Sequence, residues 1–301
     1  MFEALVPVSD RLSDRVGLIV TDSAAWMAGA PAGCVHAIVT DPPYGLDEFA
    51  PEQLAKKDAG SGGLWRVPPT LDGSQRQPVP RFSVLSDDER ARLAERFEGF
   101  GRLALHVLKP GGHLFLASNP LVSSRVFTAL EAAGLEKRGE IIRLVQTLRG
   151  GDRPKGAHER FADVTVMPRS AWEPWGLFRK PFTGTVAHCL ETHGTGALRR
   201  TSEESPFRDV IRSAPTSSRE RSLVRHPSLK PQAFMREIVR ASLPLGEGLV
   251  LDPFSGGGST LAAAEALGYG AIGLERSEEY AQRARAGFPA LVRYAPASSA
   301  T

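Results

Sequence analysis

The twelve residues Leu249-Val250-Leu251-Asp252-Pro253-Phe254-Ser255-Gly256-Gly257-Gly258-Ser259-Thr260 constrain this chain more than any others. The short apolar run reads as a buried strand, the glycines as a tight turn, and Leu261-Ala262-Ala263-Ala264-Glu265-Ala266-Leu267 as a helix stopping at Gly268. Three residues without Cβ atoms let backbone come close to a ligand at the N-terminus of that helix. Ala271-Ile272-Gly273-Leu274-Glu275 then reads as a second strand ending in an acid. A carboxylate there suits the two hydroxyls of a ribose, although it follows the glycines by 17 to 19 residues, a little short of the usual ~20. On its own the unit fits any nucleotide-binding strand, turn and helix, or a plain glycine-rich loop.

A second feature narrows the chemistry. Asp41-Pro42-Pro43-Tyr44 follows directly on the apolar run Val35-His36-Ala37-Ile38-Val39-Thr40. The prolines fix φ near roughly −65° and remove two backbone donors, which turns the carbonyls around them outward as acceptors. Together with the Asp41 carboxylate they can take both hydrogens of an exocyclic amino group, and Tyr44 can stack on the ring that carries it. The plainer alternative is a strand ending in a proline-rich turn.

Between these motifs, His226-Pro227-Ser228-Leu229-Lys230-Pro231 precedes a helical pattern in Phe234, Ile238, Val239 and Leu243, with Pro231 suited to the first helical turn. In this order the three elements resemble the S-adenosylmethionine-dependent amino-methyltransferases of DNA (N6-adenine or N4-cytosine), in the permuted beta-type arrangement that puts Asp-Pro-Pro-Tyr ahead of the cofactor motif. The likeness is firm over 16–48 and 225–285. It implies an α/β fold: a Rossmann-like, mostly parallel sheet of the class I methyltransferase kind, permuted, with an inserted target-recognition region. It also implies S-adenosyl-L-methionine as cofactor and DNA as partner, and leaves a homodimer open. By the same resemblance Asp41, Pro42, Pro43 and Tyr44 form the catalytic loop, with Asp41 and the Pro42 backbone on the target amino group and Tyr44 stacked on a flipped base. Asp252, Phe254, Ser255, Gly256 and Gly258 would line the cofactor, Glu275 would hold its ribose hydroxyls, and Lys230 would sit near its methionine carboxylate. Asp22, in Leu18-Ile19-Val20-Thr21-Asp22-Ser23, resembles an acidic contact to the cofactor adenine; a helix cap after a strand is the other reading.

The reaction implied is direct methyl transfer to N6 of adenine, because in the resembled family Asp at the position of Asp41 accompanies adenine, whereas serine accompanies cytosine. N4 of cytosine is the runner-up. An RNA amino-methyltransferase could use the same loop, and a protein-glutamine enzyme would carry Asn in place of Asp41. A non-catalytic DNA-binding module would need no pairing of an acceptor loop with a cofactor loop.

Charge separates along the chain. The whole carries +3, whereas 146–226 holds 14 Lys or Arg against 9 Asp or Glu, which makes this window +5 and the remainder −2. Basic and aromatic residues alternate here: Arg149, Arg153, Lys155, Trp172, Trp175, Phe178, Arg179, Lys180, Phe182, Arg199 and Arg200. Such a mixture suits phosphates and bases, and an ordinary solvated surface is the alternative. Arg179, Lys180, Arg199 and Arg200 are the expected DNA contacts.

The division expected is a catalytic half over 1–145 with a mobile insertion at about 50–81, a target-recognition region over 146–225, a cofactor-binding half over 226–290 and a tail over 291–301. Ser86-Asp87-Asp88-Glu89 opens a helix to Leu108, ended by Lys109-Pro110-Gly111-Gly112. Leu114–Ala117 is a strand, 121–133 a helix and Ile141–Val145 another strand, with His113 facing solvent at a strand start and Asn119-Pro120 turning into a helix. Cys34 and Cys189 offer neither a disulfide framework nor metal spacing, no metal site is expected, and no apolar run reaches membrane-span length; a cytoplasmic protein is expected.

Overall fold

The computed structural model describes residues 2–43, 70–71, 74–75, 87–145, 154 and 156–295. In chain order these form α1 (Phe2–Leu5), β1 (Val16–Val20), α2 (Ser23–Gly29), β2 (Val35–Thr40), β3 (Thr70–Leu71), β4 (Ser74–Gln75), α3 (Asp87–Val107), β5 (Leu108–Ala117), α4 (Ser123–Ala132), β6 (Glu136–Leu144), β7 (Trp172–Arg179), α5 (Val186–His193), β8 (Val210–Arg212), α6 (Ser218–Leu223), α7 (Gln232–Ser242), β9 (Leu249–Asp252), α8 (Ser259–Ala266), β10 (Gly270–Glu275) and α9 (Glu278–Arg293). The chain divides into two compact units, 1–42 with 94–301, and 43–93. The second holds the antiparallel pair β3–β4, which falls within the insertion read from the sequence; the rest of that insertion lies outside the described residues.

The first unit is built on an eight-stranded sheet in the order β1-β10-β9-β2-β5-β7-β6-β8. β7 pairs antiparallel with both β5 and β6, and the other pairings are parallel, so the sheet is mixed and mostly parallel. Alternate residues of a strand face opposite sides, and in β5 both sets, Leu114 with Leu116 and Phe115 with Ala117, are fully buried. That is the signature of a strand covered on both faces, and it explains why these strands read as continuous apolar runs. Phe115 and Ala117 join Phe234, Ile238 and Leu261 of α7 and α8 in one core, where Trp175 of β7 meets Phe234 edge-on at 5.3 Å. Burying a side chain of this size is worth about 1.5–3 kcal/mol. Phe127 of α4 meets Phe178 of β7 at 5.7 Å, edge to face.

Four expectations need correction. β5 begins at Leu108, six residues earlier than the apolar run suggests. Gly111, at φ +73°, puts a register shift into the ladder with β2, and its backbone is tied to Lys180 and Gly196; Lys109-Pro110-Gly111-Gly112 is therefore a bulged strand start. His113 does not face solvent: it is buried opposite Arg179, and burial, with Arg179 and Arg138, pushes its pKa down to about 3. β6 starts at Glu136, five residues before the expected strand. Finally, β7 lies inside the window read as a target-recognition region, yet it is an interior strand with Trp175 and Phe178 fully buried, so these two aromatics are core and not a base-stacking surface. Its Pro174 obscured it in the sequence, since proline cannot donate to a ladder. The strand tolerates it where pairing with β5 ends: the last partners are Ala117 and Trp175, and beyond them only the Pro174 carbonyl is used, accepting from Ser118 N–H at 2.8 Å.

Candidate active site

Parallel strands end together, so the topology collects side chains that are far apart in sequence at the carboxyl edge of the sheet. Asp22 follows β1, Glu275 ends β10, Asp252 ends β9 and Asp41 follows β2; Glu173 joins them because β7 runs the other way and presents its start at this edge. The sequence reading missed Glu173. Five carboxylates on one edge demand donors and cations, and the structure supplies them.

The glycine turn lies between β9 and α8. Gly256 (φ +48°) and Gly258 (φ +76°) both occupy left-handed backbone, and a Cβ on Gly256 would stand 2.8 Å from the His226 ring. Gly256 N–H donates to Glu275 Oε2 at 2.9 Å and Ser277 N–H to Oε1 at 2.7 Å. A carboxylate has about four lone-pair sites, so Glu275 can still accept from a diol. His226 packs edge-on against Tyr280 at 4.6 Å beside this turn, and burial depresses its pKa against the opposing pull of Glu275 and Asp41. Phe254 is half-buried, its ring 5.7 Å from that of Phe100. Together these residues fit a nucleoside-bearing cofactor: a glycine turn at a helix start, an aromatic face and a carboxylate one strand away.

Two expected cofactor residues are turned inward. The Asp252 carboxylate is buried, accepting from Thr40 Oγ1 at 2.7 Å and from Phe254 N–H at 3.2 Å; burial pushes its pKa up to about 6 against the hydrogen bonds of Thr260, Thr40 and Phe254. It shapes the turn from beneath. The Ser255 hydroxyl is buried within 2.6 Å of where a Cβ on Gly273 would stand, which is why that strand position is glycine. Asp22 accepts from Ala25 N–H at 2.9 Å as the N-cap of α2, the alternative its sequence context offered.

Lys230 connects the two motifs. Its backbone N–H donates to Ser259 Oγ, at the start of α8, at 3.1 Å, while its ammonium forms an ion pair with Asp41 Oδ2 and stands 3.4 Å from Glu173 Oε1. Glu173 Oε2 accepts from Arg143 Nη1 at 3.0 Å and from Trp175 Nε1 at 3.1 Å. Burial opposes charge on both, but the mutual attraction wins: Asp41 and Glu173 hold Lys230 above the ordinary lysine range, and Lys230 and Arg143 hold Glu173 below the ordinary carboxylate range. Pro42 is buried behind Asp41, Pro43 opens the second unit, and Tyr44 lies outside the described residues.

The expected DNA contacts do not gather with Asp41. Arg179 and Lys180 end β7 and so lie at the amino edge, where Arg179 pairs with Glu136 at 2.6 Å and Lys180 Nζ donates to Leu108 O at 2.7 Å. Arg199 donates to the Tyr269 hydroxyl at 2.9 Å, next to the start of β10. Arg200 is exposed and donates to Glu203 O at 3.1 Å. For Arg179 and Lys180 the direction of β7, which only pairing reveals, decided this. Among the described residues no group of three or more His, Cys, Asp and Glu is placed to hold a metal ion, and no helix is long and apolar enough to cross a membrane.

A mixed sheet with one antiparallel strand near its end, an acidic acceptor loop after one parallel strand and a glycine turn after its neighbour define the class I methyltransferase fold. The family profile described as DNA methylase, N6_N4_Mtase, matches residues 35–286, and the chain belongs to that family. It is 32% identical over 275 residues to the type II methyltransferase M2.DpnII of Streptococcus pneumoniae, covering 90% of this chain and 89% of that protein. Its fold is similar to that of TTHA0409 from Thermus thermophilus, solved in complex with S-adenosyl-L-methionine (TM-score 0.57, 20% identity, 93% of this chain and 96% of the other). It is also similar to the PvuII DNA methyltransferase, described as cytosine-N4-specific (TM-score 0.59, 15% identity, 92% and 86%).

Proposed function

We propose that this DNA methyltransferase modifies N6 of an adenine flipped out of DNA, with Asp41 as the residue that holds the target amine. S-adenosylmethionine is the methyl donor, and when bound it supplies an electrophilic sulfonium methyl group. The observation that carries the reading is the placement of Asp41 one strand from the glycine turn, with Lys230 tied to both. An exocyclic amine is a poor nucleophile because its lone pair is delocalised into the ring. Accepting its two hydrogens at Asp41 and at the Pro42 carbonyl draws the nitrogen toward tetrahedral geometry and localises that pair. Asp41 can then take the proton that the methylated nitrogen must lose.

Adenine is favoured over cytosine by the identity of residue 41, through the association of Asp with adenine in the family. The cytosine-N4-specific relative shares the fold at 15% identity, so N4 of cytosine is the competing product. The DNA-facing surface in this reading is the connection from β6 to β7, since it joins two strand ends at the carboxyl edge and exposes Arg160 stacked on Phe161 at 4.7 Å. Incubation with labelled cofactor and either duplex DNA or RNA, followed by digestion and mass spectrometry of the nucleosides, tests the proposal. N6-methyldeoxyadenosine from DNA is the expected product; N4-methyldeoxycytidine alone, or labelled RNA alone, refutes it.

A further inference from the structure

Glu173 has no place in the mechanism above, yet it is the hub of the charges around Asp41. Its two oxygens divide the work: Oε1 faces Lys230 and Oε2 is held by Arg143 and Trp175. Arg143 is itself immobilised, donating to Ser213 Oγ at 3.0 Å and Ala214 O at 3.1 Å with its guanidinium 5.0 Å over the Phe234 ring. Charges therefore alternate from the sheet interior to the loop as Arg143, Glu173, Lys230 and Asp41, and the four sum to zero.

We propose that Glu173 is a positioning residue for methyl transfer: by sharing Lys230 with Asp41 it sets where the Asp41 carboxylate meets the target amine. This rests on the methyltransferase reading. Lys230 is anchored at its backbone by Ser259 but has a flexible four-carbon stem, so its ammonium is located by the two carboxylates it bridges. Hydrogen bonds are directional, and an error of about 1 Å in a reacting geometry can cost about a hundredfold in rate. Without the Glu173 charge, Arg143 and Lys230 are two neighbouring cations facing the one carboxylate of Asp41. Lys230, already bonded to Asp41 Oδ2, then has Asp41 as its one carboxylate partner in this group and holds more tightly an oxygen the amine needs.

The groups bearing on Lys230 are Asp41 after β2, Glu173 on β7, Arg143 on β6 and His226 in its own loop. Glu173 favours the charged ammonium, so its removal must move the Lys230 titration to lower pH. The experiment uses the full chain in two assays. In the ligand-free protein, Lys230 is acylated with acetic anhydride across a pH series and the extent read by mass spectrometry. In the second, steady-state methylation of DNA gives kcat and the KM for cofactor. For Glu173→Gln the labelling midpoint falls, kcat drops on the order of ten- to a hundred-fold, as when an orienting partner is lost elsewhere, and the cofactor KM stays near native. Glu173→Asp keeps the charge, so its midpoint stays native and its kcat is intermediate. An unmoved midpoint in Glu173→Gln overturns the proposal, as does a loss of cofactor affinity in step with kcat. If Glu173→Gln does not fold, native transfer by a folded Glu173→Asp overturns it. Absence of transfer in the native chain sinks the methyltransferase reading instead, while the labelling midpoint still decides what Glu173 does to Lys230.

Discussion

The two edges of the sheet are made from the same strands and treat polar groups in opposite ways. At the amino edge they close on one another. His36 Nδ1 accepts from Leu249 N–H at 3.0 Å while Nε2 meets Lys109 Nζ at 2.8 Å; His106 Nε2 lies 2.8 Å from Ala30 O, and Lys180 and Thr195 donate to the carbonyls of Leu108 and Pro110. Burial, with Lys109 nearby, pushes the His36 pKa down to about 4. At the carboxyl edge are five carboxylates and, just beyond the ends of β5 and β9, three buried polar atoms without a partner among the described residues: Ser118 Oγ, Asn119 Nδ2 and Ser255 Oγ. Buried polar atoms normally find partners, so the contrast marks one edge as a structural seam and the other as a place built to receive something. Strand direction alone produces the asymmetry, because loops leaving parallel strands diverge at their carboxyl ends.

Changes at the carboxyl edge should abolish function and spare the fold, and changes at the amino edge should do the reverse. Asp41→Ala is the harshest test. Transfer should fall on the order of a hundred- to a thousand-fold, the scale of losing one preorganised partner at a reacting centre, with cofactor affinity by calorimetry unchanged. A cofactor affinity that falls equally would place Asp41 in cofactor binding.

Next comes Gly256→Val, which forces a β-branched residue to φ +48° with its Cβ 2.8 Å from the His226 ring. Strain of about 1–3 kcal/mol predicts cofactor binding weakened roughly tenfold to a hundredfold, with circular dichroism still native. Full-strength binding would remove the turn from the site.

The pH dependence of stability should separate the edges with opposite signs. His36 and His113 have folded pKa values of about 4 and 3, below the ordinary 6.5, so they are neutral in the fold and take up protons on unfolding. Their contribution is intact above pH 6.5 and lost as pH falls toward 4. Asp252, raised from 3.8 to about 6, favours the protonated fold, so its contribution is present at low pH and lost as pH rises from 3.8 to 6. Glutamine at His36 keeps an acceptor for Leu249 N–H and should reduce the acid loss in Tm by roughly 5 °C; asparagine at Asp252 should remove the opposing slope. Melting curves between pH 4 and 7 that coincide for native and variant chains would contradict both assignments.

The smallest effect concerns DNA. Arg160→Ala with Phe161→Ala should weaken duplex binding and lower its salt slope by about one unit, whereas Arg199→Ala with Arg200→Ala should cost thermal stability and leave the salt slope alone. The reverse pattern in salt-titrated binding would move the DNA face to the amino edge.

What was legible in the sequence was local. The apolar runs of β2, β9 and β10, the glycine turn and the stop at Gly268 all depend on neighbours within a few residues, and the structure reproduces each. Their order along the chain was enough to indicate the family. Tertiary structure decided everything that depends on strand pairing and direction. Glu173, 132 positions from Asp41 by their numbers, looks like one more surface acid until β7 is seen to run antiparallel and deliver it to Lys230. Arg179, six residues further along the same strand, is carried to the far edge by that same direction. His113 reads as a solvent-facing strand start because the bulge at Gly111 is set by contacts with Lys180 and Gly196, which no local pattern announces. Sequence encodes which residues can turn, bury or accept; the pairing of distant strands determines which of them meet.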